Sequence, residues 1–242
     1  MCYHFPMRIS GGESKGRRIA PPRHGGVRPT SDKVREALFS ILGERVKGAV
    51  FLELFAGTGA VGIEAISRGA KRAVFVDSSA KSARLIRENL ESLSYRERAA
   101  VVTKDAIVFL KKTARELGPY DIVFADPPYH TETLHPGPYP RGGKEANACH
   151  PGHCEESAFL APLRSSSCIN RGAKECFNSR PGVPEFLEIL GIGELSDVFP
   201  EGALAAYEHF KKNPVPETAG RLVKKKDYPY GDTTVSLYSF EK

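Results

Sequence analysis

The sequence has no long apolar run, no secretory leader and no even set of cysteines. No stretch approaches the roughly 20 apolar residues that a membrane-spanning helix needs. Residues 1–6 lack the positive segment and apolar core of a signal peptide. Five cysteines without an export signal argue against a disulfide framework. These absences exclude an integral membrane protein and a secreted disulfide scaffold, and they predict a cytoplasmic protein.

The 242-residue chain carries an uneven surplus of positive charge. Its composition, 40% hydrophobic and 26% charged with a net charge of +6, suits one α/β domain with additional segments. Two dense basic clusters favour a phosphate-backbone partner over an ordinary solvated face. The first cluster comprises Arg8, Lys15, Arg17, Arg18, Arg23, Arg28, Lys33 and Arg35, and the second comprises Arg221, Lys224, Lys225 and Lys226.

Apolar runs alternate with helical patterns between residues 49 and 126. This alternation favours right-handed βαβ crossovers and a doubly wound, parallel sheet. The runs end at Glu53, Asp77, about Thr103 and Asp126, and the helices are predicted at about 60–68, 80–93 and 106–117. Elsewhere we predict a hairpin or irregular arm over 7–29, a helix from Thr30 or Ser31 to Gly43, a helix at 186–190, and strands at 203–207 and 235–240.

The motif Asp126-Pro127-Pro128-Tyr129 follows the apolar run Ile122-Val123-Phe124-Ala125. It therefore lies at the carboxyl end of a predicted buried strand, where open α/β sheets bind ligands. A carboxylate and a proline carbonyl can accept hydrogen bonds from the exocyclic amine of a nucleobase, and the tyrosine ring can stack on an extruded base. The alternative is an ordinary turn, because Asp and Pro are common turn residues.

A glycine-rich segment follows the first apolar run. Gly57, Gly59 and Gly62 match the G-x-G-x-x-G pattern of dinucleotide sites and lead into a helical pattern. Glu53, a few residues earlier, would repel a pyrophosphate, which needs the bare amides of a helix N-terminus. S-adenosylmethionine carries a sulfonium and an α-amino group instead, and a carboxylate suits both cations. We therefore favour a methyl donor over a nicotinamide dinucleotide.

Acidic residues stand at the ends of four predicted strands. Asp77 lies about 20 residues after the first glycine, where an acid can bind ribose hydroxyls. Asp105 is placed to accept a hydrogen bond from an adenine amino group. Each acid alone is explained as well by a helix cap or an exposed carboxylate. Together with Glu53 and Asp126, they indicate one crevice along the carboxyl edge of the sheet.

Regular patterning stops after Tyr129 and returns near residue 186. The intervening region holds four of the five cysteines and few apolar positions. We predict a flexible insertion at 135–183, because such a long structureless stretch is uncommon inside a compact domain. Cys149, His150, His153 and Cys154 are dense in potential zinc ligands, but Cys168 and Cys176 fit a structural site poorly. We therefore predict no metal site.

In combination, five segments resemble the RsmD family, bacterial methyltransferases that modify the N2 amine of a guanine in small-subunit (16S) ribosomal RNA. They are residues 7–12 with Lys15-Gly16-Arg17, 28–32 with 34–39, 54–60 with 62–65, 126–129 and 230–233. The resemblance covers residues 7–134 and 184–242. Each piece alone is unspecific, whereas the combination is specific.

The resemblance implies a Rossmann-like class I methyltransferase with a doubly wound, mostly parallel seven-stranded sheet whose last strand is antiparallel. Residues 1–45 would form an N-terminal basic arm and helix that helps hold RNA, and residues 46–242 the methyltransferase domain. The implied partner is small-subunit ribosomal RNA or the assembling 30S subunit, with no membrane, and the chain is expected to be a monomer.

Site residues follow from the same resemblance and from the strand-end pattern. The catalytic set is Asp126, Pro127, Pro128 and Tyr129. The set that binds S-adenosylmethionine is Glu53 near its methionine part, Asp77 at its ribose, Asp105 at its adenine, and Phe55, Gly57, Gly59, Ala106 and Asp126. The RNA-binding set is Arg8, Lys15, Arg17, Arg18 and Arg28.

Two features depart from the family pattern. The insertion at 135–183 would hinder access to the base, remain a disordered excursion, or add an RNA contact. The basic residues available for such a contact are Arg164, Arg171, Lys174 and Arg180. The strand before Glu208-His209 also carries Ala205-Ala206, where bulkier β-branched residues are expected.

Three alternatives remain at this stage. The same tetrapeptide serves methylation of adenine N6 in DNA or RNA. The glycine pattern alone is compatible with a nicotinamide-dependent oxidoreductase. A non-catalytic RNA-binding or assembly factor would retain the fold if the insertion blocks the crevice.

Overall fold

The computed structural model describes residues 7–21, 32–127 and 185–242. Several predicted features lie outside these residues: the insertion at 135–183, the helix cap at Thr30 or Ser31, Arg28, Pro128 and Tyr129. Within the described part of the chain, no helix is long and apolar enough to cross a membrane.

Ten strands and six helices follow one another along the described chain. The strands are β1 (Met7–Arg8), β2 (Arg18–Ile19), β3 (Val50–Leu54), β4 (Arg72–Asp77), β5 (Ala99–Thr103), β6 (Ile122–Ala125), β7 (Leu204–Phe210), β8 (Thr218–Ala219), β9 (Leu222–Tyr230) and β10 (Thr233–Phe240). The helices are α1 (Asp32–Leu42), α2 (Ala60–Ser67), α3 (Ala80–Leu93), α4 (Ala106–Lys112), α5 (Ala114–Leu117) and α6 (Glu185–Gly191).

Eight of the strands form one sheet in the order β5-β4-β3-β6-β7-β10-β9-β8. The first five are parallel to one another, and β10 is antiparallel to both β7 and β9. The predicted doubly wound, mostly parallel sheet with an antiparallel last strand is therefore confirmed. The predicted count of seven strands was wrong by one, because Thr218–Ala219 adds a two-residue strand at the edge beside β9.

The central strands are buried on both faces, as parallel strands covered by helices should be. On one face Phe51 and Phe75 pack with α1, α2 and α3. On the other face Leu52 and Val74 pack with α4 and α6. The result is a three-layer arrangement in which successive residues of each strand serve opposite cores.

Most predicted elements are present with limits close to those observed, but β7 (Leu204–Phe210) extends beyond the predicted 203–207, one predicted helix is divided and one strand was not predicted. The helix at 80–93 has the predicted limits, and the Ser79 side chain caps it by accepting a hydrogen bond from the Ser82 amide at 3.3 Å. The helix predicted over 106–117 is two helices, α4 and α5, separated at Thr113. Strand β9 was not predicted, because its central residues are basic and exposed.

The second basic cluster lies just before and within β9, and most of its residues form ion pairs or hydrogen bonds inside the protein. The Lys224 ammonium lies 2.6 Å from Glu217 Oε1 and 3.2 Å from Asp227 Oδ2. Lys225 pairs with Glu241 at 2.7 Å. The Arg221 guanidinium donates to the carbonyls of Phe199 and Glu241. This cluster therefore offers less free positive charge than its sequence indicates.

The turn between β1 and β2 docks on the C-terminal end of α2. The Glu13 amide donates to the Ser67 carbonyl at 2.8 Å, and the Ser14 amide donates to Ser67 Oγ at 3.0 Å. Ser67 Oγ donates in turn to the Gly11 carbonyl. The turn thus donates a hydrogen bond to a backbone carbonyl in the last turn of α2, where carbonyls have no partner within the helix. The described part of the arm, with Ile9 and Ile19 buried, packs in the same core as the sheet.

A buried ion-pair network fixes the same junction. Arg35 of α1 and Glu64 of α2 are both fully buried, and Arg35 Nε lies 2.6 Å from Glu64 Oε2. Ser10 and Arg68 also donate to the Glu64 carboxylate. Arg35 was counted in the basic surface cluster, and that assignment was wrong: its guanidinium neutralises an internal carboxylate.

Gly12 and Gly16 provide a matched test of this docking. Both adopt left-handed backbone, with φ of 80° and 85°, so alanine is strained at either position by about 1 kcal/mol. A methyl group on Gly12 would meet the Ser67 carbonyl oxygen at 1.9 Å, whereas one on Gly16 would meet nothing within 4 Å. We expect Gly12→Ala to lower the free energy of unfolding by about 2 kcal/mol more than Gly16→Ala. Denaturant unfolding of both variants measures the difference, and equal losses would contradict the docked turn.

Candidate active site

The candidate site lies where the order of the strands reverses. From β3 the chain proceeds outward through β4 to β5 and then returns to β6 on the other side of β3. Open α/β sheets bind ligands at the carboxyl ends of the strands that flank such a point. Leu54 of β3 pairs with Ala125 of β6, so Phe55 and Asp126 directly follow the paired ends of two adjacent strands. The glycine loop and the Asp126 motif therefore meet at this edge.

The loop of residues 55–59 has an unusual backbone. Gly57 and Gly59 have φ of 54° and 73°, and Phe55 has φ of 57° although it is not glycine. Left-handed backbone at a bulky residue costs free energy, and such strain is concentrated at functional sites. The Ala56 amide donates to the Val76 carbonyl at 3.0 Å, and the Gly59 amide donates to the Ala56 carbonyl at 2.7 Å. The loop is thus held tightly over the ends of β3 and β4.

Asp77 connects this loop to the end of β4. Its Oδ2 accepts a hydrogen bond from the Gly57 amide at 2.8 Å, and its Oδ1 accepts one from the Ser79 amide at 2.8 Å. The residue is only partly buried, so part of it stays accessible while its carboxylate orders the loop. This placement is compatible with the predicted ribose contact.

Glu53 lies deeper than the sequence suggested. Its side chain is 3% exposed, and its carboxylate accepts hydrogen bonds from the amides of Val61 and Gly62, the latter at 2.8 Å. These are the helix N-terminal amides that a pyrophosphate would need. Because Glu53 already engages them, the structure does not fit a nicotinamide dinucleotide. The predicted placement of Glu53 near the methionine part of the donor stays a prediction, and its observed hydrogen bonds go to the start of α2.

Burial raises the pKa of Glu53 to about 8, although hydrogen bonds from Gly62 and Val61 oppose the shift. Between its ordinary pKa of 4.5 and 8, the native state holds a proton that the unfolded chain releases. The free energy of unfolding should therefore fall as pH rises through this range, by at most about 1.4 kcal/mol per pH unit.

We expect Glu53→Gln to remove that fall, because glutamine does not titrate. The free energy of unfolding of the variant minus that of the wild type should therefore be more positive at about pH 8 than at about pH 5. Denaturant unfolding at several pH values measures the relation. Parallel stability profiles for the two proteins would show that Glu53 does not hold the proton.

Asp105 and Ala106 lie where β5 leads into α4. Asp105 Oδ1 accepts hydrogen bonds from the amides of Ile107 and Val108 at 2.9 and 3.1 Å, so the residue caps the helix. The Asp105 side chain is exposed and Ala106 is buried. The capping interpretation is therefore confirmed, and the adenine contact stays a prediction for the same exposed carboxyl group.

Asp126 and Pro127 follow β6 directly and are both partly buried. Tyr207 and His209 of β7 were not assigned to the site from the sequence. Tyr207 pairs with Ala125 in the sheet, and burial together with the nearby Asp126 charge raises the pKa of its phenol. The His209 ring stacks on Tyr207 with ring centroids 5.3 Å apart. The pair Glu208-His209 after a predicted strand was the available signal, but no spacing rule connects it with Asp126.

The predicted RNA-binding residues divide into described and undescribed positions. Arg8, Lys15, Arg17 and Arg18 are all exposed on the hairpin, whereas Arg28 lies outside the described residues. Arg8 Nη1 donates to the Gly16 carbonyl at 3.2 Å, and the Arg17 guanidinium donates to the Ser92 carbonyl of α3. These contacts leave charge at the surface, as an RNA contact requires.

The crevice combines acidic strand ends, a tight glycine loop and helix amides that are already engaged. Such a site suits a cationic cofactor without phosphate, which is the chemistry of the Rossmann-like methyltransferases that use S-adenosylmethionine. Residues 7–137, more than half of the chain, match the family model described as "Conserved hypothetical protein 95". The chain belongs to this family, the RsmD family of methyltransferases. S-adenosylmethionine is the methyl donor of this class.

Named relatives agree with this assignment. The chain is 40% identical over 128 residues to ribosomal RNA small subunit methyltransferase D of Escherichia coli strain K12. It is 38% identical over 128 residues to YlbH of Bacillus subtilis, provisionally named an rRNA methyltransferase. Each match takes in 53% of this chain, and they span 63% and 70% of the respective relatives. Among solved structures, yhhF of Escherichia coli, provisionally named a methyltransferase, has a TM-score of 0.65 at 25% identity and covers 98% of this chain and 99% of its own.

Proposed function

We propose that this protein transfers a methyl group from S-adenosylmethionine to the exocyclic N2 amine of a guanine in small-subunit (16S) ribosomal RNA. The observation that carries the proposal is the register of β3 and β6, which brings the glycine loop and Asp126-Pro127 to one edge. The names of the relatives support ribosomal RNA as the substrate class. We further propose that the partner is the assembling 30S subunit, that the protein acts as a monomer, and that it works in the cytoplasm.

The cofactor would supply an electrophilic methyl group on its sulfonium. Gly57 and Gly59 would approach it closely, Asp77 would accept hydrogen bonds from its ribose hydroxyls, and Asp105 would accept one from its adenine amine. Phe55 and Ala106 would line the same crevice. Glu53 would hold the loop and α2 in the geometry that this binding needs. Each of these roles uses a residue placed by β3, β4 or β5 at the carboxyl edge.

The target base would leave its stack and enter beside Asp126. The Asp126 carboxylate and the Pro127 carbonyl would accept hydrogen bonds from the N2 amine and direct its lone pair toward the methyl group. Tyr129 would stack on the base, with Pro128 fixing the turn between them. Deprotonation can follow transfer, because methylation strongly acidifies the nitrogen. Positioning and electrostatic alignment therefore supply most of the rate gain, and no covalent enzyme intermediate is needed.

The basic hairpin would hold the RNA backbone while the base enters. Lys15, Arg17 and Arg18 project from the side of the fold that carries α2 and α3. Contacts of this kind position the RNA without reading its sequence and weaken as salt rises.

The substrate class is tested with the full chain and labelled S-adenosylmethionine. We expect label to enter small ribosomal subunits that lack the modification, and not large subunits or duplex DNA. Label in duplex DNA would favour adenine N6 methylation instead. Donor binding by calorimetry without transfer to any of these would favour a non-catalytic RNA-binding relative.

A further inference from the structure

Asn89 of α3 connects the RNA-binding hairpin with the donor loop. Its Oδ1 accepts a hydrogen bond from the Ala20 amide at 2.8 Å. Its Nδ2 donates to the Ala20 carbonyl at 3.4 Å and to the Thr58 carbonyl at 3.3 Å. Ala20 directly follows β2, and Thr58 lies between Gly57 and Gly59. One side chain therefore touches two segments with separate predicted roles.

The contacts define the orientation of the amide. One neighbour is an N–H donor and the other two are carbonyl acceptors, so only the arrangement with Oδ1 toward the Ala20 amide satisfies all three. Asn89 is 3% exposed and Thr58 is 5% exposed, so water replaces the bond between them poorly, whereas Ala20 is exposed and its bonds to Asn89 are only partly buried. Both amide hydrogens are used, one on each segment. A displacement of the hairpin strand must therefore change the hydrogen bond to the donor loop.

The end of the hairpin lies beside a pocket that a ligand can occupy. A pocket of about 450 Å³ opens between the end of the hairpin and α3, and Arg18, Ala20 and Asn89 line it. Arg18 is exposed, and the neighbouring Arg17 reaches the carbonyl of Ser92. A phosphate backbone held by these arginines would fix β2, the strand that directly precedes Ala20 and its hydrogen bonds to Asn89.

We propose that Asn89 is a positioning residue that couples RNA binding on the hairpin to the conformation of the donor loop. The inference rests on the proposed function, because it requires an RNA substrate. Its hydrogen bond to Thr58 holds the loop in the donor-binding conformation most firmly when RNA fixes Ala20. Binding of RNA should then raise donor affinity, and by thermodynamic reciprocity the donor should raise RNA affinity.

The test measures how much RNA tightens binding of labelled S-adenosylhomocysteine, an unreactive form of the donor. Equilibrium dialysis with the full chain gives its Kd with and without saturating unmodified small ribosomal subunits. For the wild type we expect Kd to fall about fivefold or more on adding subunits. Asn89→Asp keeps the acceptor for the Ala20 amide but turns an oxygen toward the Thr58 carbonyl, so the ratio should fall close to one. Asn89→Ala should behave in the same way.

Tyr95→Phe is the matched control. The Tyr95 hydroxyl donates to Ser14 Oγ at 2.6 Å, so its removal loosens the docked turn without touching Thr58. This variant should keep the wild-type ratio, which separates a specific link from general loosening. Asn89→Asp also serves if Asn89→Ala does not fold.

Three outcomes would overturn the inference. They are an equal Kd with and without subunits for the wild type, a ratio unchanged by Asn89→Asp, and a ratio lost equally in Tyr95→Phe. A wild type that methylates small subunits but shows one of these outcomes contradicts only the coupling. A wild type that neither binds nor methylates subunits contradicts the proposed function as well.

Discussion

Replacing Asp126 by alanine should lower kcat/KM for methyl transfer by about 10²- to 10³-fold, the usual cost of removing one hydrogen-bonding group that aligns a transition state. Donor affinity should change little, because Asp77 holds the Gly57 amide of the loop and Glu53 holds the Gly62 amide of α2, and neither bond involves Asp126. Asp126 directly follows β6, and Phe55 of the loop directly follows the neighbouring strand β3. At this position the carboxylate can accept a hydrogen bond from an amine that approaches the donor. Methyl-transfer kinetics and calorimetry of donor binding measure the two quantities separately.

Asp121 at the other end of β6 provides the control. Its Oδ2 accepts a hydrogen bond from the Val50 amide at 2.8 Å, far along the sheet from the carboxyl edge. Asp121→Asn retains an acceptor oxygen and should leave activity near that of the wild type. A loss of donor affinity in Asp126→Ala that parallels the loss of turnover would contradict the assigned role and place Asp126 in donor binding.

Glu64→Gln should lower the free energy of unfolding by about 3–5 kcal/mol, because it leaves the buried Arg35 guanidinium without its internal counter-charge. Arg35 would keep its contacts with the Arg8 carbonyl and with the exposed Asp32 carboxylate. Burial disfavours the charge on Glu64, but hydrogen bonds from Ser10, Arg35 and Arg68 outweigh it and lower the pKa of the carboxyl. The network therefore stabilises the protein above the ordinary pKa of 4.5 and loses that stabilisation as pH falls through the lowered pKa.

Two further variants sharpen this measurement. Arg84→Ala breaks an exposed pair with Glu88 and should cost no more than about 0.5 kcal/mol. The double variant Arg35→Met with Glu64→Gln should recover part of the loss, because no unpaired charge remains buried. Denaturant unfolding measures all three, together with the single variant Arg35→Met. A double variant whose loss equals the sum of both single losses would show that Arg35 and Glu64 do not interact.

The central α/β part was predictable because its signals are local. The apolar runs of β3, β4, β5 and β6 are each bounded by an acid or a turn, and the glycine loop and Ser79 mark where helices begin. Strand register was not predictable in this way. The pairing of Leu54 with Ala125 depends on which strands become neighbours, and that depends on the return of the chain from β5 to β6.

Charge was harder to interpret than apolar pattern. Arg35 and Lys224 both contributed to basic clusters in the sequence, but their counter-ions, Glu64 and Glu217, become neighbours only in the folded chain. Strand β9 was missed for a different reason, since its central residues Lys225, Lys226 and Asp227 are exposed and show no apolar alternation. The links through Asn89 and from Asp126 to Tyr207 connect elements far apart in sequence. Such long-range contacts require the fold before they can be inferred.

Identification of the methylated nucleotide directly tests the proposal that this protein methylates the N2 amine of a guanine. Small subunits lacking the modification are incubated with the full chain and labelled S-adenosylmethionine, and the RNA is digested with nuclease and analysed by mass spectrometry. We expect label on the N2 amine of a guanine, with incorporation by Asp126→Ala slowed about 10²- to 10³-fold. Label on the N6 amine of an adenine, or no label although the donor binds, would contradict the proposal.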